Sequence, residues 1–114
     1  MSDRSRVTTH VLDAASGRPA PGVEAVLDRY ADGGWSRLAS ASTDDDGRVD
    51  AFGPVDLDPG AYRVTFDTGA YFAAAGVQGF YPEVAITFTL DDPGTHYHVP
   101  LLLSPYAFST YRGS

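Results

Sequence analysis

Apolar and polar residues alternate with a period of two along most of this chain, the pattern of strands with one buried face. From Val7 to Leu12, one face carries Val7, Thr9 and Val11 and the other Thr8, His10 and Leu12. Val23 to Tyr30 repeats the pattern, with Val23, Ala25 and Leu27 together. Trp35 to Thr43 is weaker, setting Trp35, Arg37, Ala39 and Ala41 against Ser36, Leu38, Ser40 and Ser42. Val49 to Phe52 is a short extended piece. Ala61 to Asp67 is the clearest strand, with Tyr62, Val64 and Phe66 facing in. Val84 to Leu90 sets Val84, Ile86, Phe88 and Leu90 against Ala85, Thr87 and Thr89. Thr95 to Ser104 and Tyr106 to Tyr111 read as a hairpin across Ser104-Pro105.

Turn-forming residues separate these segments. Gly17, Pro19, Pro21 and Gly22 break the chain between Asp13 and Gly22, and Ala31 to Gly34, Gly53 to Gly60 and Asp91 to Gly94 do the same. Asp44-Asp45-Asp46-Gly47-Arg48 contains an Asp-Gly pair, a hairpin or tight-turn signal. The alanine-rich stretch from Gly69 to Gly76 is the only helical candidate, and about two turns cannot stand without packing. Roughly seven or eight short strands with one small helix predict an all-β sandwich. A βαβ arrangement would need helices between the strands. There is no internal repeat and no low-complexity segment.

Length and charge narrow the picture. A chain of 114 residues is the size of one domain, with residues 1–5 expected as a flexible start and 6–114 as the folded unit. Eight basic against fifteen acidic side chains leave a formal charge of −7, which repels nucleic acid and anionic lipid. The absence of cysteine removes disulfides and thiolate metal sites. No apolar run approaches the roughly 20 residues a membrane helix needs, and the opening residues do not resemble a signal peptide. The expectation is a soluble, cytoplasmic protein.

Two of the three histidines, His96 and His98, lie two apart on one strand and share a face. They could be ordinary surface or half-buried side chains, two ligands of a metal site completed by His10, or acid/base groups working near neutral pH. His10 alone reads as a core or edge histidine. Arg48 alone reads as a solvated loop residue paired weakly with Asp44, Asp45 or Asp46. The aspartate run lacks the spacing of an EF-hand loop.

These residues occur within a longer pattern. Thr9-His10-Val11-Leu12-Asp13, Gly17-Arg18-Pro19-Ala20, Thr43 to Arg48, Phe80-Tyr81-Pro82, His96 through Pro105 and the closing Tyr111-Arg112-Gly113-Ser114 together resemble the 5-hydroxyisourate hydrolases, the transthyretin-like enzymes of purine catabolism. The closing tetrapeptide is the most specific part, because the hormone-carrying transthyretins share the fold and lack it. The resemblance implies a transthyretin-like two-sheet β-sandwich of seven to eight strands with one short helix, assembled as a homotetramer with sites where subunits meet. It implies a small-molecule substrate, 5-hydroxyisourate, and no metal or cofactor. The residues that match the family's catalytic positions are His10, Arg48, His98 and Ser114, with Tyr111 joining them in binding substrate. His96 falls outside that set, as a supporting residue. Gly113 would act as a hinge for the tail. Two other readings stand beside this one: a transthyretin-like carrier of a small apolar ligand, and a sandwich binding a metal through its histidines.

Overall fold

The alternating stretches form strands that sort into two sheets, in a computed structural model that describes residues 5–92 and 94–113. In chain order the elements are β1 (Val7–Asp13), β2 (Arg18–Pro19), β3 (Glu24–Ala31), β4 (Gly34–Ser42), β5 (Arg48–Val49), β6 (Gly60–Phe66), α1 (Thr68–Ala74), β7 (Val84–Leu90), β8 (Tyr97–Ser104) and β9 (Ala107–Thr110). One sheet runs β2-β1-β8-β9, with β5 also paired to β1; the other runs β4-β3-β6-β7. The two face each other across a shared apolar core. Among the described residues no helix is long and apolar enough to cross a membrane.

The inward positions are those the period-two pattern selects. Val7, Val11, Leu27, Tyr62, Val64, Phe66, Leu90, Leu101 and Leu103 are all fully buried. Each such side chain contributes about 1.5–3 kcal/mol by leaving water, which is why a slip of one residue in any of these strands is disfavoured. Thr9 sits among them and is also buried. Its hydroxyl donates to the Val99 carbonyl, so its polarity is satisfied.

Two local departures from simple alternation have clear causes. Leu27 pairs with Ala39 but Asp28 pairs with Arg37, so Leu38 is an extra residue in β4. This bulge splits the face expected for Trp35, Arg37, Ala39 and Ala41. Ala39 and Ala41 pack against the core, whereas Trp35 stacks under the Arg63 guanidinium, 4.3 Å from ring centre to carbon, beside Tyr30. The Asp-Gly signal at Asp46-Gly47 makes a tight turn and not a hairpin, because β4 and β5 belong to different sheets.

Helix α1 is as short as its sequence suggests and is fixed at both faces. The Asp67 carboxylate caps it by accepting from the Ala70 N–H at 3.1 Å. Phe72 enters the core, and the Tyr71 hydroxyl donates to Asp13 Oδ2 at 2.8 Å. Burial, reinforced by the Asp13 carboxylate, pushes the Tyr71 phenol up to about 12. The helix is thereby pinned to the end of β1.

Candidate functional site

Three registers build a polar cluster on the outer face of the sheet that contains β1. Strands β1 and β8 run parallel, with Thr8 opposite His98 and His10 opposite Pro100. Strand β5 lies antiparallel on the other side of β1, with His10 opposite Arg48. After β9 the chain continues along β8, where Gly113 bridges to His98. Residues that face each other across a ladder share a side, so Thr8, His10, Arg48 and His98 project together, away from the core.

The turn before β5 delivers Arg48. Asp44 Oδ1 accepts from the backbone N–H groups of Asp46 and Arg48, both at 2.9 Å, and the Gly47 N–H donates to the Asp44 carbonyl. These bonds hold the Asp44 carboxyl below its usual range. Gly47 has φ of 77° and its carbonyl accepts from the Val11 N–H at 2.7 Å. A Cβ at this position would lie 2.4 Å from the Val11 carbonyl oxygen. Only glycine allows both the left-handed backbone and the close approach to β1. The aspartate run is thus a scaffold for the arginine that follows it. The side chain of Arg48 is exposed and makes no ion pair among the described residues.

The histidines occupy different environments. His10 Nε2 lies 2.9 Å from the Asp46 carbonyl oxygen, which can only accept, so this nitrogen carries a hydrogen and donates it. His98 is half-buried. Burial, followed by the positive charges of Arg48 and nearby imidazoles, pulls its pKa below the ordinary 6.5, with Asp50 opposing. It is therefore a neutral imidazole at neutral pH. His96 and His98 do not converge on a common point for an ion. The Thr8 hydroxyl stands between them, 2.9 Å from His96 Nε2 and 2.8 Å from His98 Nδ1. His96 Nδ1 in turn lies 3.1 Å from the Ser5 carbonyl. Ser5, expected in the flexible start, is itself buried and hydrogen-bonded to the backbone at Phe52 and Gly53.

The closing segment is placed as far as Gly113; Ser114 lies outside the described residues. Tyr111 is exposed. Arg112 turns the other way and covers the Tyr97 ring at 4.4 Å, so by alternation Tyr111 falls on the histidine side. Gly113 does not act as a hinge. It has no positive φ, and its N–H donates to the His98 carbonyl at 2.9 Å. What it supplies is space: a Cβ there would come within 2.6 Å of His98 Cδ2. A side chain here would collide with the imidazole.

Beside His98 a recess of about 290 Å³ opens between β7 and the closing segment, lined in part by Phe88, Tyr97, Thr110 and Tyr111. It does not reach His10 or Arg48. A ligand touching all three side chains must lie over the open face of the sheet, which the described residues of a single chain leave without an opposite wall.

Of the residues singled out from the sequence, His10, Arg48, His98 and Tyr111 are brought to one side of one sheet, with His96 tied to them. Thr8 and the packing role of Gly113 were not anticipated. Thr8 has the same parity as His10, which is a signal only once β1 and β8 are known to be neighbours.

Residues 7–113 match the model of a family described as "HIUase/Transthyretin family". A 5-hydroxyisourate hydrolase of Salmonella typhimurium is 49% identical over 109 residues, covering 95% of this chain and 80% of that one. Among solved structures, Klebsiella pneumoniae 5-hydroxyisourate hydrolase superposes with a TM-score of 0.84 at 39% identity, over 95% of this chain and 98% of its own. Sea bream transthyretin in complex with thyroxine gives 0.88 at 32% identity, over 95% and 94%. Backbone similarity therefore does not separate enzyme from carrier, and the side chains on the sheet face must decide.

Proposed function

The chain belongs to the HIUase/Transthyretin family, and from that premise we propose that it hydrolyses 5-hydroxyisourate, adding water to a lactam carbonyl and opening the six-membered ring. The observation that carries this reading is the pair of registers that sets a neutral His98 and an exposed Arg48 on one face with His10. A carrier needs an apolar lining with few polar groups. This face offers instead a base and a fixed cation, which are what hydrolysis of an amide requires.

The substrate is a flat, polar heterocycle. It lies over the sheet with the lactam oxygen toward the Arg48 guanidinium. Water is a weak nucleophile, and the His98 imidazole accepts its proton as the water oxygen bonds to the carbonyl carbon. Negative charge moves to the carbonyl oxygen, where the permanently charged, planar guanidinium stabilises it. The tetrahedral adduct then collapses. The ring C–N bond breaks, the leaving nitrogen takes the proton from His98, and the water oxygen remains in the new carboxyl group. His10, held through Nε2 by the Asp46 carbonyl, has Nδ1 left to meet the substrate or the attacking water. Tyr111 and Ser114 hydrogen-bond the ring's edges.

Residues 6–114 act in this reading as one domain, in a cytoplasmic homotetramer whose neighbouring subunit supplies the missing wall. The open face supports this, as do the exposed aromatic side chains Phe80, Tyr106 and Phe108 near or on the edge strand β9.

The test is an ultraviolet assay of freshly generated 5-hydroxyisourate with wild type and His98→Asn. Wild type is expected to accelerate decay over buffer. The variant should lose roughly a hundredfold or more in kcat, the usual contribution of a general base. Decay by wild type no faster than buffer would end the hydrolase reading and favour the carrier reading.

A further inference from the structure

Four groups form a continuous hydrogen-bond chain that ends on the proposed base: the Ser5 carbonyl, His96, Thr8 and His98. The chain has a direction. A carbonyl oxygen can only accept, so His96 Nδ1 carries a hydrogen and donates it to Ser5 at 3.1 Å. With His96 in its neutral form the imidazole has one N–H, and Nε2 is then an acceptor. The Thr8 hydroxyl, 2.9 Å away, has a single hydrogen and gives it to that nitrogen. Its oxygen is then an acceptor toward His98 Nδ1 at 2.8 Å, so His98 Nδ1 is the protonated nitrogen. His98 Nε2 is left with its lone pair. This is the less favoured tautomer of a free histidine side chain, and it turns the basic nitrogen away from the chain.

We infer that His96 and Thr8 are positioning residues that hold His98 in the tautomer with its proton on Nδ1, leaving Nε2 as the atom that takes the proton from water. The inference rests on the proposed role of His98 and adds to it which nitrogen reacts and what selects it. Thr8 suits this task because it is only 2% exposed, so water has little access to replace its hydroxyl. The far end is anchored as well. Ser5 is 3% exposed, accepts from the Phe52 N–H and donates to the Gly53 carbonyl. The relay thus begins at a buried, hydrogen-bonded residue and ends at the reacting face. The logic resembles that of any base oriented by a third group, here a hydroxyl and a second imidazole in place of a carboxylate.

Nitrogen-15 NMR of histidine-labelled protein, at a pH where His98 is neutral, reads the tautomer directly and independently of turnover. Wild type is expected to show the hydrogen of His98 on Nδ1. In Thr8→Val, which keeps the shape and removes the hydroxyl, the Nε2–H form should become substantially populated. kcat should fall roughly fivefold to tenfold, the bias that one hydrogen bond imposes, with KM little changed. Thr8→Ser should restore both the tautomer and kcat. His96→Phe interrupts the chain one step earlier and should reproduce Thr8→Val, so a folding defect in one variant leaves the other to decide. A wild-type His98 protonated on Nε2, or a tautomer that neither variant moves, would overturn the inference. A tautomer that shifts as expected in a protein without hydrolase activity would overturn the proposed function and leave the relay standing.

Discussion

At the scale of single residues, the electrostatics of His98 and the space beside it make separate predictions. Burial and the Arg48 charge both hold His98 below 6.5, so its basic form persists into mildly acidic solution. The acidic limb of kcat/KM should therefore have its midpoint below pH 6.5. In Arg48→Met that limb should move toward 6.5 while the plateau falls, because the guanidinium charge that opposes protonation of the imidazole is gone. A limb at or above 6.5 in wild type would contradict His98 as the base. The same depression has a sign for stability. Between the folded value and 6.5 the unfolded chain binds more protons, so the fold loses stability as pH drops through that window. Gly113 makes the second prediction. Its backbone accommodates alanine without strain, since its φ is not positive, but the new methyl would lie 2.6 Å from the imidazole. Gly113→Ala should lower kcat by roughly tenfold to a hundredfold through a displaced ring, with thermal melting close to wild type. Steady-state kinetics alongside circular dichroism would check both halves.

At the scale of elements, the turn between β4 and β5 carries the arginine, and its geometry depends on Gly47. Gly47→Ala must adopt a left-handed backbone that costs about 1–2 kcal/mol, and it also meets the Val11 carbonyl at 2.4 Å. Both stability and activity should fall, measured by urea unfolding and by the decay assay; an unchanged kcat would show that Arg48 is placed by something other than this turn. Much of the element level was readable in the sequence. The parity of β1, β3, β6 and β7 follows from alternation, because a buried face imposes a period of two on whatever sequence forms it. Strand β2 escaped notice since two residues, one of them proline, carry no period. The bulge at Leu38 escaped notice because β4, an edge strand, has weak alternation to begin with. The residues of the site were legible through their motifs, but their adjacency was not. Parallel pairing of β1 with β8 joins segments about ninety residues apart, and local pattern holds no record of its partner. Thr8 was passed over for that reason: its role exists only across that pairing.

At the scale of the whole molecule, the proposed reading makes the site half a site. The face bearing His10, Arg48 and His98 is open, and the recess beside His98 does not span it. A subunit-made wall predicts that activity follows assembly. Charged substitutions at Phe108 and Tyr106, both exposed in the single chain, should yield smaller species in sedimentation with turnover reduced in proportion; a monomer with full turnover would show that one chain suffices. The parallel pairing at the centre of this sheet has a further consequence, for the order of events in folding. Thr8 and His98 meet only when the first and last long strands close a loop of nearly the whole chain. Such contacts raise contact order and slow the search, so the catalytic face is among the last features to form. During refolding, recovery of activity should lag the recovery of secondary structure, and a chain halted before β8 would hold every residue of His10's and Arg48's strands yet have no base to work with.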